Sequence, residues 1–456
     1  MSSRLLPVDP ATREIAGELH ALVEHAPIIS PHGHVDPLSL ADDVPFQDPT
    51  ELLITKDHYL TRMLHAFGVD LADLGVGAAT ADPRAAWRVV AERWHVFDGT
   101  ATGAWIDEEL RSLFGVEEVL SAASADRIYD TISARLRDAD FRPRALFRSF
   151  GIEVLATTDD PLDDLAAHRR LQADGFRVLP TFRPDAYLDP SGQDFVTRVE
   201  RLLAAGSEEA TFDGYLHALE ARREHFVASG AVSADHGMLE PAALALDPAD
   251  AAVLFDRVLT GRATDDEHRR FRAHMLWQMA RMSVDDGLVM TLHPGIHRNH
   301  SSATLRRHGP DTGHDIPVST AFVSGLHPLL ESFGLEKDFH LVLFTVDETT
   351  FSREIAPLAG FYPSVFIGAP WWFLDAPDAM ARFRSAVTET AGFYRGSGFV
   401  DDTRAFLSIP ARHDTARRVD AGFLARLVRE GRVRRDAAER IMVDLVDAIP
   451  RRAFKL

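Results

Sequence analysis

The chain has no cysteine among its 456 residues. Disulfides and thiolate ligands are excluded, so any bound metal must be held by nitrogen and oxygen. No run approaches the roughly 18 consecutive apolar residues that a membrane-spanning helix needs, and no membrane partner is expected. The opening Met1-Ser2-Ser3-Arg4-Leu5-Leu6-Pro7-Val8-Asp9 lacks the apolar core of a secretory signal, which makes cytoplasm the expected compartment. Positive charge is in deficit. There are 49 lysines and arginines against 69 aspartates and glutamates, a formal net charge of −20. That argues against nucleic acid as a partner, because phosphate binding needs a basic face. An anionic small molecule would also be repelled overall and would need a local arginine cluster. No Gly-x-Gly-x-x-Gly loop follows any strand candidate, and there is no internal repeat or low-complexity segment.

What is present begins with Ala26-Pro27-Ile28-Ile29-Ser30-Pro31-His32-Gly33-His34. Residues i and i+2 of an extended chain point the same way, so His32 and His34 can aim at one point past the strand end. That is how a strand offers two nitrogens to one metal ion. Alone, the same pattern also fits a surface loop with two solvated histidines.

Seven further apolar runs follow: Glu153–Thr158, Arg177–Phe182, Gly230–Ala234, Leu288–His293, His340–Val346, Ser364–Ala369 and Gly398–Asp402. Most are continuous rather than alternating, as expected of parallel strands buried on both faces. Helical patterns lie between them, at Glu208–Val227, Thr264–Ser283 and Asp378–Phe393, and Ala421–Ile449 covers the end. Alternation of this kind gives an α/β fold, and eight strands suggest a (β/α)8 TIM-type barrel with its site at the C-terminal strand ends. An open doubly wound sheet is the alternative. The gap between the first two strands is too long for a bare loop. Helical stretches at Asp82–Phe97 and Ser124–Ala139 make 36–150 a mainly helical insertion or cap. The expected division is 1–35 as N-terminal segment and first strand, 36–150 as insertion, and 151–456 as the rest of the barrel with C-terminal helices.

The strand ends collect reactive side chains: His32 and His34, then Asp159 and Asp160, Arg183, Asp235 and His236, His293, Asp347 and Glu348, Trp371 and Trp372, and finally Asp401, Asp402 and Arg404. Each has a plain reading. Asp159 or Asp235 serves equally well as a helix N-cap, His293 as a satisfied buried histidine, and the tryptophans as packing.

Two histidines on the first strand, one on the fifth and an aspartate on the eighth follow the ligand order of amidohydrolase-superfamily metal barrels. Within that group the sequence resembles the uronate isomerases, the glucuronate isomerase family. The likeness runs through Lys56-Asp57-His58-Tyr59, Thr157-Thr158-Asp159-Asp160-Pro161 and Pro180-Thr181-Phe182-Arg183-Pro184-Asp185. It continues through Asp235-His236-Gly237, Leu292-His293-Pro294-Gly295-Ile296-His297-Arg298-Asn299, Gly368-Ala369-Pro370-Trp371-Trp372-Phe373 and Asp402-Thr403-Arg404-Ala405-Phe406-Leu407-Ser408. His-Cys-His is frequent in the family where this chain has His32-Gly33-His34, a change at the residue that points away from the metal.

The resemblance implies reversible aldose–ketose isomerisation, D-glucuronate to D-fructuronate and D-galacturonate to D-tagaturonate, by proton transfer from C2 to C1 through an enediol. It implies one divalent ion, zinc by preference, on His32, His34 and Asp402. Asp402, Arg404, Tyr59 and His293 are implied as catalytic, and Arg183, Arg298, His58 and Trp371 as binding the hexuronate. Arg183 would fork the substrate carboxylate, supplying the positive charge that the chain otherwise lacks. Two other readings stay open. One is a mononuclear metal-dependent hydrolase of the same superfamily; Ser229–Ala234 offers no lysine for a binuclear site. The other is a non-catalytic sugar-acid sensor, which would be expected to have lost some of His32, His34, His293 and Asp402. The choice of epimer at C4, and of monomer or homo-oligomer, stays open too.

Overall fold

Short parallel strands, buried on both sides, form the centre of the molecule. The computed structural model describes residues 4–77 and 81–456, so Met1, Ser2 and Ser3 of the opening segment lie outside the described residues. Its strands are β1 (Ile28–Ser30), β2 (Ile152–Ala156), β3 (Val178–Leu179), β4 (Thr181–Phe182), β5 (Ser233–Met238), β6 (Val289–Pro294), β7 (Ile296–His297), β8 (Ile316–Pro317), β9 (Leu341–Leu343) and β10 (Val365–Ile367). β1-β2-β3 make one parallel sheet and β10-β9-β6-β5-β4 another; β7 and β8 pair antiparallel. Every residue of β1, β6, β9 and β10 is buried, in agreement with their continuous apolar sequence. In the β5–β6 register Asp235 stands opposite Thr291, and Gly237 opposite His293.

Two of the strand expectations need correction. Arg177–Phe182 is not one strand. It splits at Pro180, which has no N–H for a ladder, leaving β3 on β2 and β4 on β5. A parallel bridge, Asp159 to Phe182, still links the two sheets there. Gly398–Asp402 forms no strand. Only Gly396, just ahead of it, makes a bridge, to Ile367 at the end of β10. Further on, the His34 amide donates to the Thr403 carbonyl at 3.0 Å, which joins the chain after the eighth candidate to the end of the first.

The helices follow their end signals. Asp265–Asp286 starts with a full capping box between Thr264 and Glu267, and it buries Phe271, Met275, Met279 and Met282 as the pattern predicts. Phe212–Ala228 and Pro377–Ala391 lie where expected. The C-terminal pattern is three helices rather than one: Ile409–Arg429, Arg435–Val446 and Ala448–Phe454. Gly431 at φ 70° makes the first break. Between β1 and β2 lie Pro37–Asp42, His58–Ala66, Pro83–Glu92, Ala101–Phe114, Ala125–Arg135 and Pro143–Ser149. Asp57 caps His58–Ala66 by accepting from the Tyr59 amide at 2.8 Å, a contact worth about 1 kcal/mol that also fixes Tyr59 in the first turn of the helix. No helix among the described residues is long and apolar enough to cross a membrane.

Candidate active site

At the C-terminal end of β1 the chain delivers His32 and His34, and the segment after Ser397 delivers Asp402. Asp402 Oδ1 lies 3.3 Å from His32 Nε2 and 3.0 Å from His34 Nε2. Asp402 is a non-glycine residue at φ 42°, a conformation that costs about 1–3 kcal/mol and is concentrated at functional sites. Its Oδ1 is buried with no aligned hydrogen bond among the described residues. Three donors that approach this closely without hydrogen-bond alignment suit a shared cation better than one another. The outer face of His34 is set by Thr158. The Thr158 hydroxyl donates to the Gly33 carbonyl at 2.6 Å and sits 2.7 Å from His34 Nδ1, so His34 Nδ1–H donates and Nε2 keeps its lone pair. A Cβ on Gly33 would make ordinary 3.5 Å contacts with Ala156, Asp401 and Thr403, away from this point.

Next to it, Asp235 on β5 accepts from the Thr291 hydroxyl at 2.7 Å and from His293 Nδ1 at 2.6 Å. His293 Nε2 is left buried without a partner among the described residues, and the ring stacks on His32 with centroids 4.7 Å apart. His32, Asp235 and His293 form a second group of potential metal ligands. Asp235 is the less available carboxylate, because Arg183 Nη1 already stands 3.3 Å from its Oδ2. Asp402 faces only the two imidazoles in its ion-pair contacts among the described residues. The His32, His34 and Asp402 donor set, two imidazole nitrogens and a carboxylate oxygen, fits a divalent ion.

Both groups line one cavity of about 340 Å³, in the lower part of the range for small-molecule sites. Asp402, Arg404, Tyr59, His293, Arg183, Arg298, His58, Trp371, His32 and His34 all line it. The rim is built by the helical segment between β1 and β2 and by the segment after β7. His58 stacks on Tyr59 at 4.9 Å and meets Trp372 edge-on at 5.1 Å. Arg298 binds Asp315 at 2.9 Å and lies over Trp372 at 5.1 Å, while Arg404 reaches Asp311 at 3.5 Å. Trp371 packs edge-on against His293 at 4.8 Å. Arg183 is more committed than a free fork: its Nε donates to Asp185 at 2.9 Å while Nη1 faces Asp235.

Sequence reading missed several members. Asp235 stood at a strand end but equally resembled an N-cap. Asp57 and Arg412 also line the cavity. Arg412 is buried, pairs with Asp375, and lies over Trp105 at 3.9 Å and Tyr59 at 5.4 Å. Asp311 and Asp315 carried no motif at all.

The charges explain how an acidic chain could receive an anion. Lys56, Arg183, Arg298, Arg404 and Arg412 line the cavity against Asp57, Asp235, Asp311, Asp315 and Asp402, five against five. Burial works against the charged form of Asp402, but His32 and His34 outweigh it and hold the carboxyl well below its usual range. Burial also opposes charge on His32, and the carboxylates of Asp235 and Asp402 more than reverse this, raising it. Burial, reinforced by Arg404, pushes His58 down to about 3, so it is a neutral ring. Burial raises the Tyr59 phenol, which stays a hydrogen-bond donor at neutral pH.

A model of the glucuronate isomerase family matches residues 11–452. The uronate isomerase of Corynebacterium efficiens is 54% identical, covering 99% of this chain and 98% of that one. Among solved structures, glucuronate isomerase from Caulobacter crescentus superposes with a TM-score of 0.98 at 48% identity, over 100% of this chain and 96% of that one. Uronate isomerase from Thermotoga maritima gives 0.94 at 28% identity, over 100% and 99%. A Lactobacillus casei chain described as a metal-dependent hydrolase shares the fold alone, with a TM-score of 0.54 at 15% identity, over 96% and 97%. Matched from end to end by relatives that carry one activity in their names, this chain belongs to the glucuronate isomerase family.

Proposed function

We propose that this protein interconverts aldose and ketose hexuronates, D-glucuronate with D-fructuronate and D-galacturonate with D-tagaturonate. The observation that carries the reading is the convergence of His32, His34, Asp402, His293, Tyr59, Arg183, Arg298 and Arg404 on one cavity, in a chain of this family. A proton beside an aldehyde is weakly acidic. Its removal needs a close base and a place for the negative charge that develops. Asp402, held as a carboxylate, takes the C2 proton and returns it at C1. Arg404 faces the charge developing on the oxygens, and the protonated Tyr59 donates to one of them. His293, whose Nδ1 is held by Asp235, presents its Nε2 to a substrate hydroxyl. Arg183 holds the uronate carboxylate with the N–H groups that Asp185 and Asp235 leave unused, and Arg298 is the alternative. His58 and Trp371 shape the wall. His32, His34 and Asp402 would hold the divalent ion, zinc on this donor set, which supplies Lewis-acid polarisation of a substrate oxygen when bound.

The same reading includes the architecture. The two parallel sheets, the Asp159–Phe182 and Ile367–Gly396 bridges, and the His34–Thr403 hydrogen bond support closure into a (β/α)8 barrel. The helices of 36–150 act as a cap that brings His58 and Tyr59 to the mouth.

The test is an assay of the purified protein with each aldose, following appearance of the ketose. Ketose formed from either sugar is the expected result. No turnover of either by metal-loaded protein would overturn the assignment.

A further inference from the structure

Arg412 stands near the start of the helix Ile409–Arg429 and is buried. A buried guanidinium needs a carboxylate partner, and Asp375 supplies it. Its other contacts go beyond charge pairing. Nε donates to the Ser408 hydroxyl oxygen at 3.1 Å, and Nη1 donates to the Asp401 carbonyl at 3.4 Å as well as to Asp375. Its Cζ lies 3.9 Å from the centre of the Trp105 ring and 5.4 Å from that of Tyr59, two rings that meet edge-on at 6.1 Å.

These contacts fall beside two residues of the proposed reaction. The Asp401 carbonyl shares a rigid peptide plane with the Asp402 nitrogen. Holding that oxygen holds the plane from which Asp402 departs at φ 42°. His413, the next residue on the helix, places Nε2 3.0 Å from Asp401 Oδ2 and braces the same corner. Tyr59 arrives from elsewhere, in the first turn of His58–Ala66, and Trp105 sits in Ala101–Phe114 of the same long segment between β1 and β2. One planar cation therefore spans the joint between that segment and the chain that carries Asp402. A positive charge against a phenol ring also strengthens its O–H as a donor. Burial raises the Tyr59 phenol, and Arg412 opposes that rise. A lysine ammonium is a compact point charge. It cannot lie flat on Trp105 and still reach both Asp375 and Asp401.

We propose that Arg412 is a positioning residue that sets the Tyr59 hydroxyl in register with the Asp402 carboxylate, acting through the Tyr59 ring and the Asp401–Asp402 peptide. The placement stands on this geometry; its effect on turnover rests on the isomerase reading above.

The test compares metal-loaded wild type with Arg412→Lys and with Arg412→Gln/Asp375→Asn. The double variant removes both charges together, so neither is left buried alone should the first fail to fold. Either folded variant should lower kcat for the hexuronate at least about tenfold, as misplaced reacting groups do, with KM within about threefold of wild type. In a Tyr59→Phe background, where no hydroxyl is left to place, the same change should cost less than about threefold. A second readout needs no turnover. In protein labelled with 13C at tyrosine Cζ, the Tyr59 line, one of six and identified by its loss in Tyr59→Phe, should shift in Arg412→Lys, which keeps the charge, and in the double variant. A kcat within about twofold of wild type, a raised KM with kcat kept, or an equal cost in both backgrounds overturns the proposal. An unmoved Tyr59 line overturns it whatever the rates. Should wild type turn over neither hexuronate, the isomerase reading falls and the Tyr59 line alone decides the placement.

Discussion

Asp235 Oδ1 stands 2.6 Å from His293 Nδ1, and the His293 ring lies 4.7 Å from His32 in a stacked pair. One buried carboxylate therefore fixes the tautomer and the plane of a ring that touches a proposed metal ligand. Partners of this kind typically account for about 10–100-fold in affinity or activity. Asp235→Asn should lower kcat by about that factor and leave the circular dichroism spectrum unchanged. A kcat within about twofold of wild type would remove Asp235 from the machinery.

The metal assignment predicts that His32→Ala/His34→Ala loses the ion on dialysis while wild type retains about one equivalent. His–zinc distances in a metal-bound crystal structure should be roughly 2.0–2.1 Å. Full occupancy in the double variant, measured by elemental analysis, would move the ion to the group formed by His32, Asp235 and His293.

Arg183 uses Nε on Asp185 and Nη1 on Asp235. A lysine ammonium cannot bridge both and still offer an edge to a carboxylate. Arg183→Lys should raise KM for the uronate by about tenfold or more, roughly 1.4 kcal/mol. An unchanged KM would transfer the carboxylate to Arg298.

Much of this was legible in the chain. β1, β2, β6, β9 and β10 are apolar runs that need no partner to be recognised, and the reactive side chains stand just past them. What was not legible depends on pairing through space. Pro180 splits a run that hydropathy alone makes continuous. Gly398 and Asp402 sit at φ 73° and 42°, so residues 398–402 do not run as a strand, and only Gly396 finds a bridge. Asp159 resembled an N-cap, yet its Oδ2 accepts across strands from the Thr181 amide at 3.1 Å. Arg412 reads as an ordinary helical arginine. Only the fold sets it against Asp375 and the ring of Trp105.

Asp159 also gives a pH prediction. Burial outweighs its hydrogen bonds to Thr157 and Thr181 and pushes its carboxyl up to about 7. The folded protein therefore holds a proton that the unfolded chain, with an ordinary aspartate near 3.8, releases. This contribution to stability is complete below the unfolded pKa and is lost as pH rises through about 7. Asp159→Asn cannot ionise, so its Tm should fall less than that of wild type between about pH 5 and pH 8. Parallel Tm profiles for the two proteins would show that Asp159 is ionised in the fold throughout.

Asp402 is the residue on which the proposed chemistry turns. It is buried at the cavity, is held ionised by His32 and His34, and sits in a backbone conformation that ordinary packing does not favour. Asp402→Asn keeps the shape and removes the base. Turnover should fall by at least about a hundredfold, the scale of lost acid–base catalysis, with the fold intact by circular dichroism. Metal content has to be measured on the same sample, because the amide is also a poorer ligand. Restoring the ion at high concentration should not restore the rate if the carboxylate is the base. A proton that passes through Asp402 also has a chance to exchange. Ketose formed in heavy water should then carry some deuterium at C1. Near-wild-type turnover in Asp402→Asn would end the role of this side chain as the base. Complete retention of a C2 label at C1 would favour a direct hydride shift from C2 to C1 over an enediol.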